Sequence, residues 1–320
     1  MLKVVIIGYG EMFNNVIAGT LDSGAKIVGV FRHDRIKYSR FVRWIKDIIN
    51  PDTDYSYIKS YNLHEIKATS ANSDSFRKQL LKLNPDIMIV ASWSEKLEKK
   101  TYDMPKTATL NVHPSLLPKY RGPNPYIHVI KNREEKTGVT IHLVDDGYDT
   151  GAILDQREVK VLPDDTGKEL KSKSALVARG AICELLQKMS EDVVFPVMQK
   201  EDNATYFSNN FDTDIDFSKP IEDIIAQIRA IHPWGRCYFY HKETPISPNP
   251  YRLTIIDADT SDYKIGEVIS TDYKDKSITV ACSNNKLLRM GSVKLYGTYR
   301  RFLTKGYIRR IIKIGDILNK

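Results

Sequence analysis

Asn111 stands two residues before His113 in the run Leu110-Asn111-Val112-His113-Pro114, and Asp149 follows in the segment Asp145-Asp146-Gly147-Tyr148-Asp149-Thr150-Gly151. On an extended strand, residues i and i+2 project from the same face, so an amide and an imidazole can converge on one small group. A carboxylate carried by the later loop can reach the same place. Amide, imidazole and carboxylate together suit acyl transfer to an amine. Attack on the acyl carbon leaves charge on its oxygen, to which Asn111 and His113 can donate. Asp149 can orient His113 or take the amine proton through a water. The amine must be neutral to attack, which is easier for an α-amino group with a pKa of roughly 7.7–8.0 than for a lysine-like amine near about 10.4. No Ser or Cys nucleophile stands out. A histidine at a strand end also fits a purely structural role.

Such a constellation needs a rigid edge to stand on. The first half of the chain alternates strand-like and helix-like stretches, the pattern of a parallel sheet covered by helices. Val4–Ile7 reads as a strand, followed by a helix to about Leu21; Ala25–Phe31 is the next strand, Ser75–Leu83 a helix, and Asp86–Ala91 a short buried strand. Thr109–Val112 and Gly138–Val144 complete the strand candidates. The expected fold class is α/β, an open, doubly wound and mostly parallel sheet. Ligands of such sheets bind beyond the carboxyl ends of the strands, which directs attention to Ser92-Trp93, His113-Pro114-Ser115 and Asp145–Gly151. Gly8-Tyr9-Gly10 lacks the third glycine of a dinucleotide fingerprint and reads as a tight turn.

At 320 residues the chain is long enough for two domains. A polar, irregular stretch between about Asp202 and Pro220 reads as a linker. The expected division is a catalytic domain over 1–205, a linker over 206–220 and a basic domain over 221–320. That last part opens with the amphipathic helix Ile221–Ile231, stopped at His232-Pro233-Trp234-Gly235, and continues in short β runs that suggest a small OB-like barrel. The net charge is +8, and it gathers at the end: Lys286, Arg289, Lys294, Arg300, Arg301, Lys305, Arg309, Arg310, Lys313 and Lys320 stand against Asp316 alone. Either a polyanion surface or a solvated face fits this run. Arg32, Arg35, Lys37, Arg40, Arg43 and Lys46, interleaved with Tyr38, Phe41 and Trp44, pose the same choice. One reading is a phosphate and base surface; the other is an amphipathic helix burying Phe41, Trp44, Ile45 and Ile48. Arg121 could meet substrate phosphate or bond to its own loop. His128 and His142 receive no role. Cys183, Cys237 and Cys282 have neither disulfide nor zinc spacing, so no metal is expected. The apolar run in MLKVVIIG is too short for a secretory leader and nothing reaches membrane-span length, so a cytoplasmic protein without membrane association is expected.

The tract from Leu110 to Leu154 resembles the core of the 10-formyltetrahydrofolate-dependent formyltransferase family. The resemblance rests on Asn111-Val112-His113, Ser115-Leu116-Leu117-Pro118, Arg121-Gly122, Gly138-Val139-Thr140 and the Asp-x-Gly-x-Asp-x-Gly of Asp145–Gly151, all in the family's order and spacing. It implies that Asn111, His113 and Asp149 are the catalytic set and that the formyl donor is 10-formyltetrahydrofolate. It further implies a folate pocket lined by Ile89, Val90, Ser92 and Trp93, by Ser115, Leu116, Leu117 and Pro118, and by Asp145, Asp146, Gly147 and Tyr148. Ile215-Asp216-Phe217, Ile228-Arg229-Ala230, Pro233-Trp234, Phe302-Leu303 to Gly306 and Gly315–Leu318 resemble the junction and second domain of members that act on methionyl-tRNA. That resemblance implies a tRNA partner, with Arg121, Arg32, Arg35, Arg40, Arg43, Arg300, Arg301, Arg309 and Arg310 as candidate acceptor contacts. Two departures favour an alternative acceptor, a nucleotide-linked amino sugar. Gly8-Tyr9-Gly10 replaces the Gly-Thr-Pro turn usual in the tRNA-acting members, and Arg32–Tyr61 replaces their Gly/Arg/Lys-rich loop. A nucleic-acid-binding module with a dead catalytic fold is a third reading, against which the retention of Asn111, His113 and Asp149 argues.

Overall fold

The computed structural model describes residues 1–32, 45, 48, 54–296 and 303–319. Two compact units divide the chain: Met1–Pro125, Lys136–Lys160 and Leu170–Asn209 form the first, and Tyr126–Glu135, Val161–Glu169 and Asn210–Lys320 the second.

The first unit is built on a six-stranded sheet of β1 (Lys3–Gly8), β2 (Lys26–Arg32), β3 (Ile87–Ala91), β4 (Ala108–His113), β5 (Lys136–Leu143) and β6 (Ile153–Lys160), in the order β2-β1-β3-β4-β5-β6. β1 pairs in parallel with β2 and β3, and β3 with β4. The apolar runs VVII and IMIVA are fully buried, as strands covered on both faces require. Helices α1 (Gly10–Asp22), α2 (Asp54–Ser60) and α3 (Asp74–Leu83) accompany these strands, and α4 (Lys99–Tyr102), α5 (Pro125–Lys131) and α6 (Gly167–Ser190) follow in chain order. Ser73 caps the start of α3 by accepting from the Phe76 N–H, and Asn84 ends it in the left-handed region. Phe76 and Leu80 of α3 join Val5, Ile7, Phe31, Met88 and Val90 in one buried cluster. Each such side chain contributes roughly 1.5–3 kcal/mol by leaving water.

The sheet departs from a wholly parallel one. β5 runs antiparallel to β4, and β6 antiparallel to β5. β6 is not among the strands expected from the sequence, because its Asp155, Gln156, Arg157 and Glu158 belong to a half-exposed edge strand and show no apolar run. This β5–β6 hairpin matters because its connection carries Asp149.

In the second unit, helix α7 (Ile221–Ile231) has the bounds expected from its apolar spacing. Two antiparallel sheets follow. β10 (Val268–Asp272), β11 (Ser277–Cys282), β12 (Lys286–Met290) and β9 (Leu253–Asp257) make one, and β13 (Lys294–Leu295), β8 (Thr244–Ser247) and β7 (Phe239–His241) the other. Ile221, Ile224, Ile228 and Ile231 of α7 share a core with Phe239, Val280 and Leu288. Helix α8 (Thr304–Arg310) adds Ile308 to it. Among the described residues no helix is long and apolar enough to cross a membrane.

Candidate active site

Asn111 and His113 occupy the last turn of pleat in β4, and the antiparallel register sets Asn111 opposite His142 and His113 opposite Thr140 on β5. The loop after β5 then brings Asp149 back over this edge. Asn111 Nδ2 donates to Asp149 Oδ1 at 3.1 Å, and His113 Nδ1 lies 3.5 Å from the same oxygen. The other carboxylate oxygen, Oδ2, accepts the Gly122 N–H at 2.8 Å. Amide, imidazole and carboxylate thus meet, and the 120–122 loop meets them too.

The ring orientations follow from which partners can only accept. His113 Nε2 lies 2.8 Å from the Tyr120 carbonyl, so Nε2 carries the hydrogen and the neutral ring keeps its lone pair on Nδ1, facing Asp149. Burial pushes the His113 pKa below the usual histidine value, against the opposing pull of Asp149. Burial works against the charge of Asp149, but at the acid pH where this carboxyl titrates the charge then carried by His113, with the His142 ring and the Gly122 N–H, outweighs it and holds the carboxyl well below the carboxylate range. The centre therefore presents an anionic carboxylate beside a neutral imidazole with an open proton-accepting nitrogen.

His142, to which the sequence reading gave no role, belongs to this group. Its Nδ1 donates to the Leu143 carbonyl at 2.8 Å, leaving Nε2 as acceptor for the second Nδ2 proton of Asn111 at 3.1 Å. The available signal was register: a histidine two residues before the turn of a hairpin strand faces the residue opposite on its neighbour.

Two glycines let the loops close. Gly122 has φ +98° and a Cβ there would stand 2.3 Å from the Phe207 carbonyl oxygen, while a Cβ on Gly151 would stand 1.8 Å from that of Leu143. A side chain on Gly151 would push the Asp149 loop off β5, and one on Gly122 would push the 120–122 loop off the Phe207 segment.

The residues expected to line a folate pocket fall into two neighbouring groups around this centre. Ile89 and Val90 are buried in β3, and Ser92 follows in the left-handed region. Trp93 stacks at a tilt on Phe31, with ring centroids 5.4 Å apart. Lys96 donates to the Asp146 carbonyl at 2.5 Å and sits 4.6 Å over the Tyr148 ring, and Tyr102 donates to Asp146 Oδ1 at 2.6 Å, which ties the 92–96 segment to the 145–148 loop. Asp145 folds that loop by accepting from Gly147 N and Thr150 Oγ1. The Ser115–Pro118 turn is held on the other side: Thr140 Oγ1 donates to the Ser115 carbonyl at 2.6 Å, and Gln156 Nε2 donates to that of Leu117 at 2.9 Å. Leu116 packs against Gly138.

The basic candidates separate. Arg121 is buried with its guanidinium spent on Gln199 and Glu201. Arg32 pairs with Glu65 at 2.6 Å and stacks over Tyr55. Arg309 lies 5.3 Å over the Tyr273 ring, and Arg310 is exposed beside it in the last turn of α8. Arg35, Arg40, Arg43, Arg300 and Arg301 lie outside the described residues, as do Phe41 and Trp44; Ile48 is exposed rather than packed inward.

The family model described as formyl transferase matches residues 2–186, and that described as formyl transferase, C-terminal domain, matches residues 209–299. The methionyl-tRNA formyltransferase of Halothermothrix orenii is 30% identical over 262 residues, which covers 80% of this chain and 82% of that one. The corresponding protein of Caldanaerobacter subterraneus is 31% identical over 250 residues, 77% of this chain and 78% of the relative. Among solved structures, an N-formyltransferase from Helicobacter canadensis in complex with folinic acid and dTDP-3-aminofucose superposes with a TM-score of 0.66 at 19% identity, covering 92% of this chain and 100% of that one.

Proposed function

The chain belongs to the formyl transferase family, and from that premise we propose that it transfers a formyl group from 10-formyltetrahydrofolate to the amino group of methionyl-tRNA. The observation that carries the chemistry is the approach of Asn111 Nδ2 and His113 Nδ1 to one oxygen of Asp149.

In this reading the neutral amine attacks the formyl carbon and the carbonyl oxygen takes the negative charge. Asn111 turns an Nδ2 proton from Asp149 to that oxygen, and loss of one such donor costs on the order of a hundredfold in rate. The amine proton passes to His113 Nδ1, directly or through water, and the resulting imidazolium rests against the Asp149 anion. From there the proton goes to the departing folate nitrogen as the C–N bond breaks. No covalent enzyme intermediate is needed.

The acceptor assignment draws on the relatives at 30% and 31% identity, which are methionyl-tRNA formyltransferases. It draws also on the match of residues 209–299 to the family's C-terminal domain, and on the basic end of the chain, where Arg309 and Arg310 suit phosphate contacts. A second reading, formylation of a nucleotide-linked amino sugar, is favoured by the similarity to the Helicobacter canadensis protein, solved with dTDP-3-aminofucose. One assay separates them: 10-formyltetrahydrofolate with charged initiator methionyl-tRNA in one arm and dTDP-3-aminofucose in the other. Formylation of the tRNA is expected. Formylation of the sugar alone sinks the tRNA reading.

A further inference from the structure

The stretch Gln199–Phe207, which begins ahead of the expected linker and runs into it, is hydrogen-bonded to both loops of the centre. Phe207 N donates to the Arg121 carbonyl, Arg121 N to the Thr205 carbonyl at 2.8 Å, and Tyr120 N to Thr205 Oγ1 at 2.8 Å. This fixes the loop whose Tyr120 carbonyl holds His113 and whose Gly122 N–H holds Asp149. The first residue of the stretch reaches further in.

Arg121 Nε and Nη2 both donate to Gln199 Oε1, at 3.2 and 2.7 Å, and Nη1 and Nη2 donate to the two carboxylate oxygens of Glu201 at 2.9 and 2.8 Å. A guanidinium has no acceptor, so the Gln199 atom facing it must be oxygen, and the amide nitrogen must point the other way. That nitrogen donates to the carbonyls of Asp149 and Gly151, each at 2.8 Å. Asp149 has φ +56°, a left-handed backbone that a residue with a Cβ adopts only when its surroundings hold it there. Two hydrogen bonds from one half-buried amide onto the carbonyls flanking Thr150 supply that hold.

We propose that Gln199 is a positioning residue for transfer: oriented by Arg121, it pins the Asp149 main chain so that the carboxylate stays on Asn111 and His113. The inference rests on the catalytic roles given to those three residues above. It also reserves Arg121 for support of the site rather than for acceptor phosphate.

The test uses the full chain with 10-formyltetrahydrofolate and the acceptor it formylates in the two-acceptor assay. Gln199→Leu removes both donors; Gln199→Glu keeps an oxygen toward Arg121 but cannot donate to the two carbonyls. Each is expected to lower kcat about 10- to 50-fold while KM for the donor stays within about threefold and the melting temperature holds. Placed in an Asp149→Ala background, either change should cost less than about twofold more, because Gln199 acts through the carboxylate already removed. A normal kcat in Gln199→Glu overturns the proposal, as does an equal loss in both backgrounds or failure of both variants to fold. If Asp149→Ala alone turns over normally, it is the catalytic reading that fails; if Asp149→Ala is slow and Gln199→Glu is normal, only the positioning role is lost.

Discussion

Asn111 and His142 are register partners on antiparallel strands, and the amide of the first donates to Nε2 of the second across 3.1 Å. The Leu143 carbonyl fixes the tautomer that makes this possible. With one Nδ2 proton on His142, the other is directed at Asp149 and, in the reaction, at the formyl oxygen.

His142→Ala leaves that amide free to rotate. The expected result is a kcat lowered roughly 5- to 20-fold, less than for loss of the oxyanion donor itself. His142→Gln, whose side-chain oxygen can accept in place of Nε2, should recover part of the loss. Steady-state kinetics of the pair check this, and a normal rate in His142→Ala removes the residue from the account.

The two ionisable groups share one pH sense. His113 is depressed by burial below the usual histidine value of about 6.5, and Asp149 is held below the usual aspartate value of about 3.9. For both, the unfolded chain binds protons more readily than the folded one. Their contributions to stability are complete above those ordinary values and are lost as pH falls through the folded ones. Urea midpoints should therefore decline from pH 7 toward pH 5, and His113→Gln should flatten that decline. The acid limb of kcat should likewise fall at an apparent pKa below about 6.5. A limb well above that value would mean that the imidazole is charged at rest.

Cys237 and Cys282 lie in the core of the second unit, where burial pushes both thiols up to about 12. A thiolate is needed for attack on disulfide reagents. At pH 8 the native chain should leave these two unreacted for hours and titrate them promptly in denaturant. Rapid reaction of either in the native state would show that this core opens.

At the basic end, Arg309 and Arg310 follow each other in the last turn of α8. If both meet phosphate, Arg309→Ala with Arg310→Ala should weaken tRNA binding at low salt about tenfold and reduce the slope of log affinity against log salt by about 1–2. An unchanged slope would leave these arginines as solvated surface.

Much of the first unit was legible because strands buried on both faces, such as VVII and IMIVA, write their burial as unbroken apolar runs. The shared face of Asn111 and His113 was legible in their i, i+2 spacing, whereas their reading as a catalytic set with Asp149 came from the family resemblance. What escaped was decided by other parts of the chain. β6 is a half-exposed edge strand without an apolar run, so its pairing depends on β5 rather than on its own composition. His142 acquires a role only through register. Gln199 lies just ahead of the polar stretch read as a linker, and its partners, Arg121 and the carbonyls of Asp149 and Gly151, lie 48 to 78 residues away in sequence. Long-range hydrogen bonds to main-chain carbonyls leave no mark on local pattern.

The most direct measurement is the single-turnover rate of formyl transfer by Asn111→Ala, His113→Ala and Asp149→Ala beside the unaltered chain, at matched melting temperature. The geometry predicts that each falls by roughly 10²-fold or more with donor binding retained. Near-normal rates in any two would show that the reaction takes place elsewhere.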